Sequence, residues 1–384
     1  METATKKKAK KTAAGSVICN RGAIAEALAV LLKIVTKRQP KPILECVKLE
    51  TQDNRLILSA TNLETAGMFT MTQVQVESAM NICVELDRLR RSVSEMSGDT
   101  VSLLIEGEQL AVRGSSGVNK LATMPSDDFP PCFKHDAKPD GTVEIAVDAL
   151  QRILDEVIFA VSETGTRFSP AGIHLFYEKA NLVAQATDGK VASETNSPAK
   201  GTGEFSCLVA PLPLQIALSV AHDKDDLAEL SSGDNFLEIE VGDLRIRSNL
   251  IEGSFPPMRN YNSKDAATVV NVATAELLSA ANQVGITVED VYRIIVVSLS
   301  KNGITIESKS ESGESKASVP CKVDGHDMVF GLNHKHLTTI LRSCRDDPEI
   351  TLRVFAPNRP VVFDRINTAS RTGAYVVNMV CNLS

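Results

Sequence analysis

Asp148-Ala-Leu-Gln-Arg-Ile-Leu-Asp-Glu-Val-Ile-Phe-Ala-Val161 is the stretch from which the fold can be read. Leu150, Ile153, Leu154, Val157, Ile158 and Val161 fall at offsets 0, 3, 4, 7, 8 and 11, which is one apolar stripe along a helix. Asp148 and Gln151 have the spacing of a capping box that would close the helix N-terminus. A comparable helix is predicted after Gly22, with Ile24, Leu28, Leu31, Leu32 and Val35 facing inward. Another is predicted after Thr274, with Leu277, Leu278, Ala281 and Val284. The three starts, 22, 148 and 274, are 126 residues apart each time.

Other landmarks keep that period. Ala60-Thr-Asn-Leu63 follows the strand-like run Arg55 to Ser59, and Ala186-Thr-Asp-Gly189 follows Asn181 to Gln185, again 126 residues later. Phe129-Pro130 and Phe255-Pro256 have the same separation. Each unit holds a second helical segment: about Glu85 to Met96, Leu214 to Ala221, and His334 to Cys344 with Asn333 as its N-cap. Strand pairs follow: Thr100–Ile105 with Gln109–Arg113, Phe236–Val241 with Asp243–Arg247, and Glu349–Phe355 with Pro360–Phe363. Gly107 and Gly242 mark tight hairpin turns. A repeat of two helices and many short strands predicts an α+β protein of three tandem similar domains. The polar, turn-rich stretches Lys134–Gly141 and Asn262–Thr268 separate them. The expected boundaries are a disordered basic tail at 1–15, then domains at 16–138, 139–265 and 266–384, each long enough for its own core.

Composition narrows the function classes. Of 384 residues, 43% are apolar and 23% charged, as in an ordinary globular protein. Aromatics make up 4% and Trp is absent, which disfavours a carbohydrate binder built on stacked Trp. The formal charge is −7, against nucleic-acid binding through bulk positive charge. Residues 1–15 hold five Lys and one Glu, so taking that +4 from −7 leaves the body at −11. The tail reads as a solubilising extension, with weak nucleic-acid contact as the alternative. No apolar run has a membrane helix's length of about 18 residues, and the N-terminus has no secretory apolar core. The eight Cys stand apart with no C-x-x-C, so they are expected to be reduced core thiols of a cytoplasmic protein, not disulfides or metal ligands.

Several of these segments also carry a family resemblance. Lys37-Arg-Gln-Pro-Lys-Pro-Ile-Leu44, Leu58-Ser-Ala-Thr-Asn-Leu-Glu64, Leu121-Ala-Thr-Met-Pro125 and Asp128-Phe-Pro130 resemble the first domain of the bacterial DNA polymerase III beta subunit, the sliding clamp. Arg167-Phe168, Gly172-Ile173, Ala186-Thr-Asp-Gly189 and Leu250-Ile-Glu-Gly-Ser-Phe-Pro256 resemble its second domain. Asn333-His-Lys-His336 and Tyr375-Val-Val377 resemble its third. The resemblance implies a head-to-tail homodimeric ring of six similar domains, with helices lining a central hole and antiparallel sheets outside. Duplex DNA would thread the hole. The partners implied are the DNA polymerase III alpha subunit, an ATP-driven clamp loader, and other clamp-binding repair and replication proteins. No membrane is implied, nor any cofactor, and the location would be the cytoplasm, at the nucleoid. Exonuclease activity would lie in another chain.

The implied inner face has candidate cations in Lys33, Lys37, Arg38, Arg88, Arg91, Arg152 and Arg342, with Arg90, Lys335 and Arg345 close by in sequence. Arg167 and Phe168 match a loop that touches DNA in the family. A ring that slides should hold DNA weakly, since each neutralised phosphate adds affinity with a salt slope of about −0.9. The lining is expected to be uneven: Asp155 and Glu156 share a helix with Arg152, and the Thr274 helix has no basic residue.

By the resemblance, partner peptides dock in an apolar pocket made by Pro170, Gly172, Thr187, Gly189, Lys190, Pro256, Tyr261, Asn333, His336, Pro360, Val376, Val377 and Met379. Three places depart from the family pattern. Lys190-Val191-Ala192 is one residue short, His336 stands where Tyr is common, and the chain ends Asn378-Met-Val-Cys-Asn-Leu-Ser384. By the resemblance, the dimer contact would join the Lys120–Thr123 strand, through Lys120 and Leu121, to the helix near Ala281–Val284, where Asn119, Asn282 and Gln283 make the patch more polar than the family norm.

Enzyme readings find little support. Asp188 has no second acid or His at a recognisable spacing. Asp223, Asp225 and Asp226 lack the pattern of a calcium loop. His334 and His336 are two apart and do not share a helix face. Neither a G-x-x-x-x-G-K-[ST] loop nor a G-x-S-x-G elbow occurs, and no catalytic residue is assigned. The reading is therefore a non-enzymatic DNA sliding clamp. A divergent clamp paralogue with altered peptide preference, and a triplicated α+β enzyme with an unrecognised site, stay open as alternatives.

Overall fold

Among the described residues, six helices form where apolar periodicity predicts them: α1 Arg21–Leu32, α2 Leu86–Ser94, α3 Val147–Val157, α4 Pro211–Leu218, α5 Thr274–Val284 and α6 His334–Ser343. The computed structural model describes residues 15–35, 41–133, 138–166, 169–221, 226–257, 266–289, 291–357, 359–365 and the backbone of 371–374. The Lys-rich tail lies outside the described residues.

Two helices are stopped at their start by side chains. The Asn20 carboxamide accepts from Ala23 N at 3.0 Å to cap α1, and the Asn333 carboxamide accepts from His336 N at 3.2 Å to cap α6. The capping box expected for α3 does not form. Helical geometry begins one residue earlier, at Val147 with Ala146 as an N-cap that supplies no side-chain bond. Asp148 thus lies inside the first turn, where its charge faces the positive end of the helix, and Gln151 donates forward to Asp155 at 2.9 Å. The fourth helix starts at Pro211, earlier than the predicted Leu214, because proline is well suited to a first turn that needs no N–H.

The chain folds into two compact units: residues up to 139 with 212–249, and 140–211 with 250–384. In the first unit, α1 buries Ile24, Ala27, Leu28 and Leu31 and packs against α2, which buries Leu86, Leu89 and Val93. One antiparallel run of strands follows the order 227–233, 236–241, 244–249, 65–71, 55–61, 46–52, 81–85, 118–125, 109–113, 100–106, 16–20 and 74–78. In the second unit, α5 and α6 pack through Leu277, Ala281 and Val284, and Leu337, Ile340 and Leu341. Its larger sheet runs 206–209, 173–178, 181–187, 191–198, 371–374, 361–365, 349–354, 268–273 and 322–325. A second sheet runs 313–319, 303–310, 294–300 and 328–333.

The repeats join through their sheets. Strand Thr65–Met71 pairs with Leu244–Asn249, placing Thr65 opposite Ser248. Strand Val191–Pro198 pairs with Arg371–Ala374, placing Val191 opposite Ala374. Both members of the second pair lie 126 residues after those of the first, so the joint is duplicated along with the domain. The predicted hairpins form with Gly107 at φ 66° and Gly242 at φ 55°.

Candidate functional site

The conserved feature of the repeat is a tight turn at the end of a strand. Thr187 is 5% exposed, and its hydroxyl donates to Val191 O at 2.8 Å while accepting from Gly189 N at 3.1 Å. The Asp188 carboxylate accepts from Lys190 N at 2.8 Å and Val191 N at 2.7 Å. The Thr187 hydroxyl and one oxygen of the Asp188 carboxylate are thus used within the turn, so Asp188 is a turn residue as its sequence context suggests. Gly189 sits at φ +85°, in the left-handed region that favours glycine.

Around this turn the structure gathers most of the predicted pocket residues that it describes. Gly189 lies beside Ser169, where an added Cβ would come 3.8 Å from the Ser169 Cβ, and Ser169 precedes the buried Pro170. Gly172 is buried and has no room for a side chain, because a Cβ would stand 2.5 Å from Ile251 Cδ1 and 2.8 Å from Val209 O. Its role is close packing, not surface contact. Val191 pairs with Ala374, which pairs on its other edge with Val361, next to the buried Pro360. Val376, Val377, Met379 and Tyr261 lie outside the described residues.

From α6, His336 is brought near enough to feel the Asp188 and Lys190 charges. Burial pushes its imidazole below the ordinary range, Asp188 opposes this, and Lys190 and Lys335 add to it. The ring is therefore neutral at pH 7 and presents a largely apolar face. Asn333 reaches the other way, donating from Nδ2 to Tyr292 O at 3.2 Å. Tyr292 is 66% exposed, and Val291 and Ile286 near it in sequence are 75% and 80% exposed. The sequence reading does not single out Tyr292, since exposure is not encoded in a local pattern. Pro256 is half-buried and follows Phe255, whose ring stacks on His174 at 5.3 Å between centroids. The site offers an apolar surface with a few fixed polar groups, and among the described residues no cluster of His, Cys, Asp and Glu could hold a metal ion.

The candidate DNA-facing cations sit on helix surfaces and are mostly paired with nearby acids. Arg88 is 75% exposed and bonds Glu85. Arg91 and Arg90 share Asp87, at 2.5 and 3.0 Å. Hydrogen bonds from Arg91 and then Arg90 hold the Asp87 carboxyl below its usual range. Arg152 reaches Glu156 at 3.3 Å and Asn196 O at 3.3 Å. Glu156 is 1% exposed, so it lies under α3 and not on its outer face. Lys33 and Arg342 are exposed at the ends of α1 and α6. Lys37, Arg38, Arg167 and Phe168 lie outside the described residues.

Comparison with known proteins places this architecture. Sequence models of the DNA polymerase III beta subunit match in order: its N-terminal domain over residues 16–133, its central domain over 144–257 and its C-terminal domain over 263–378. This chain belongs to the DNA polymerase III beta subunit family. The beta sliding clamp of Treponema pallidum is 24% identical over 339 residues, covering 85% of this chain and 89% of that one. That of Proteus mirabilis is 25% identical over 349 residues, covering 88% and 92%. Among solved structures, the DNA polymerase III beta subunit of Pseudomonas aeruginosa superposes with a TM-score of 0.87 at 20% identity, covering 94% of this chain and 99% of that one. The Bacillus subtilis sliding clamp gives 0.87 at 17% identity, covering 94% and 99%. The fold is three tandem clamp domains.

Within this beta subunit fold, the predicted dimer residues Lys120 and Leu121 lie on a strand, and Asn282 and Gln283 lie on a helix. Lys120 and Leu121 lie on strand Val118–Pro125, whose residues 118–122 pair with 109–113. Among the described residues nothing pairs with the other edge of 118–122. Lys120 is exposed and meets Glu106 at 2.7 Å. Asn282 and Gln283 are exposed on α5, which packs on strand Gly313–Val319, the end strand of its sheet. No helix of the described residues is long and apolar enough to cross a membrane.

Proposed function

We propose that this chain is a DNA sliding clamp, with domains at 16–138, 139–265 and 266–384. The observation that carries this reading is the consecutive match of three beta subunit domain models to a chain with a 126-residue internal period. The family is a non-catalytic processivity factor, and the clamp acts by topology. Two copies close head to tail, the free edge of 118–122 in one copy adding to the free edge of 313–319 in the other, with Lys120, Leu121, Asn282 and Gln283 at the contact. Duplex DNA passes through, and a replicative polymerase, the DNA polymerase III alpha subunit, is held by a peptide in the Thr187–His336 pocket. A clamp loader supplies the ATP that opens the ring, and other replication and repair proteins use the same pocket. The clamp works in the cytoplasm, on the nucleoid.

The electrostatics support sliding. Arg88, Arg91 and Arg152 are each met by a carboxylate, so much of their charge is already balanced before a phosphate approaches. Affinity for DNA stays low and the track is not gripped. The decisive experiment loads the protein with its cognate loader and ATP onto nicked circular DNA and then cuts the circle. A clamp stays on the intact circle through a gel-filtration column and is released by the cut. Retention that ignores the cut, or turnover of the DNA, would refute the reading. Separately, a polymerase-derived peptide should bind the protein and lose binding in Val377→Asp; its failure to bind would favour the divergent paralogue.

A further inference from the structure

Three sulfur-bearing side chains meet on one face of the sheet in the first unit. Strand Cys46–Gln52 pairs with Asn81–Glu85, which pairs in turn with Val118–Pro125. In this register Cys83 has Lys48 as its partner on one side and Met124 on the other. Side chains alternate along a strand, so Cys46, two residues before Lys48, shares a face with Cys83 and Met124. The Met124 side chain crosses the middle strand, and its Sδ comes 3.9 Å from Cys46 Sγ. Cys83 is carried by that middle strand. Positions 46, 83 and 124 are far apart in sequence, so no motif announces the cluster.

The setting is apolar. Cys46 and Cys83 are 1% and 0% exposed, and they pack in one cluster with Ile43, Leu44 and Phe129. Burial pushes both thiols well above their ordinary range, and the nearby Cys46 pushes Cys83 up further. The Cys46 S–H has weak partners, Met124 Sδ and Pro42 O at 3.6 Å. Met124 is 39% exposed, which gives solvent access to the edge of the cluster.

We propose that Cys46, Cys83 and Met124 form a binding site for one soft monovalent metal ion, Cu(I). Metal–sulfur bonds of about 2.3 Å to one ion set two of its sulfurs about 3.8–4.0 Å apart, in tetrahedral or trigonal geometry alike. The Cys46–Met124 separation of 3.9 Å already has that value. Thiolate and thioether are soft ligands that select Cu(I). A structural Zn(II) site is closed by four ligands, and among the described residues no group of three His, Cys, Asp or Glu is placed to hold an ion. On binding, the two thiol protons pass to solvent as two sulfur–copper bonds form. The Met124 thioether adds a lone pair without a change of charge.

The test titrates Cu(I) into the full chain, without oxygen and with a reductant, against the chromophoric Cu(I) chelator bicinchoninate. Met124→Leu keeps an apolar side chain of similar volume and removes the sulfur. Cys83→Ala removes one thiol. Cys321→Ala is the control, because Cys321 is a half-buried thiol of the other unit. Circular dichroism checks that each variant keeps the fold. The full chain should withdraw one equivalent of Cu(I) from the chelator, and Cys321→Ala should match it. Met124→Leu should hold the ion about tenfold more weakly, as loss of one soft ligand implies, and Cys83→Ala should lose it to the chelator. X-ray absorption should count three sulfurs around copper in the full chain and two in Met124→Leu. Failure of the full chain to compete with the chelator, retention by Met124→Leu with an unchanged sulfur count, or binding by Cys83→Ala equal to the full chain would each overturn the proposal.

Discussion

At the level of single residues, the turns Thr61–Thr65 and Thr187–Val191, 126 residues apart, differ in what occupies the left-handed position. Leu63 carries its Cβ at φ 77°, whereas Gly189 at φ 85° does not. Space is not limiting at Gly189, where the nearest atom to an added Cβ is 3.8 Å away. Gly189→Ala should therefore cost about 1 kcal/mol through backbone strain alone, seen as a lower urea midpoint with an unchanged far-UV spectrum. His336 gives a pH prediction. Burial lowers its folded pKa below the ordinary 6.5, so the neutral ring is the folded form above that value. Stability and pocket apolarity are fully present above pH 6.5 and are lost as pH falls through the depressed value. An apolar peptide that covers the ring lowers the pKa further, so its affinity should fall between pH 7 and pH 5. His336→Tyr should flatten that profile without loss at pH 7; an unchanged slope in the variant would show that another group is responsible. Thr187, Gly189 and Asn333 could be picked out from sequence because a turn and a cap need particular residue types, and Pro256 through the family resemblance alone. Tyr292 could not, since nothing local distinguishes an exposed ring that matters from one that does not.

Elements were legible where periodicity and caps act locally. The strands Gln109–Arg113 and Phe236–Val241 begin and end where alternation predicts, because a hairpin fixes both strands with one turn. Asn20 and Asn333 both cap helices with their side chains. Asn20→Ala removes the bond to Ala23 N and should destabilise the first unit by about 1 kcal/mol, measured by hydrogen exchange at the first turn of α1 with α5 as an internal reference. The α3 N-terminus was misread for a physical reason. A helix boundary is set by where the preceding strand releases the backbone, and strand Gly141–Ala146 runs straight into Val147. Asp148 then has no cap to make.

At the scale of the molecule, a buried ionic network holds parts of the second unit that are far apart in sequence. Glu156 on α3 meets Arg152 at 3.3 Å, Arg365 at 3.3 Å and the Thr195 hydroxyl, and Arg365 also bonds Asp347 at 2.6 Å. Glu156 and Asp347 are 1% and 5% exposed. Breaking one partner of a buried pair leaves charge without compensation, so Glu156→Ala should lower stability by about 3 kcal/mol. A thermal melt would show this as an early transition of the second unit, whereas an unchanged melting profile would mean that solvent already screens the site. The sequence by itself determined the threefold repeat, the α+β class and the turn and cap chemistry, because period, apolar spacing and short-range hydrogen bonds are properties of neighbouring residues. Only the tertiary structure decided that Glu156 is buried beneath its helix and that Val191 lies against Ala374. It also decided that Met124 reaches across a strand to Cys46. Each of these depends on which distant strands pair and which helix face they cover, and a one-dimensional pattern does not encode those choices.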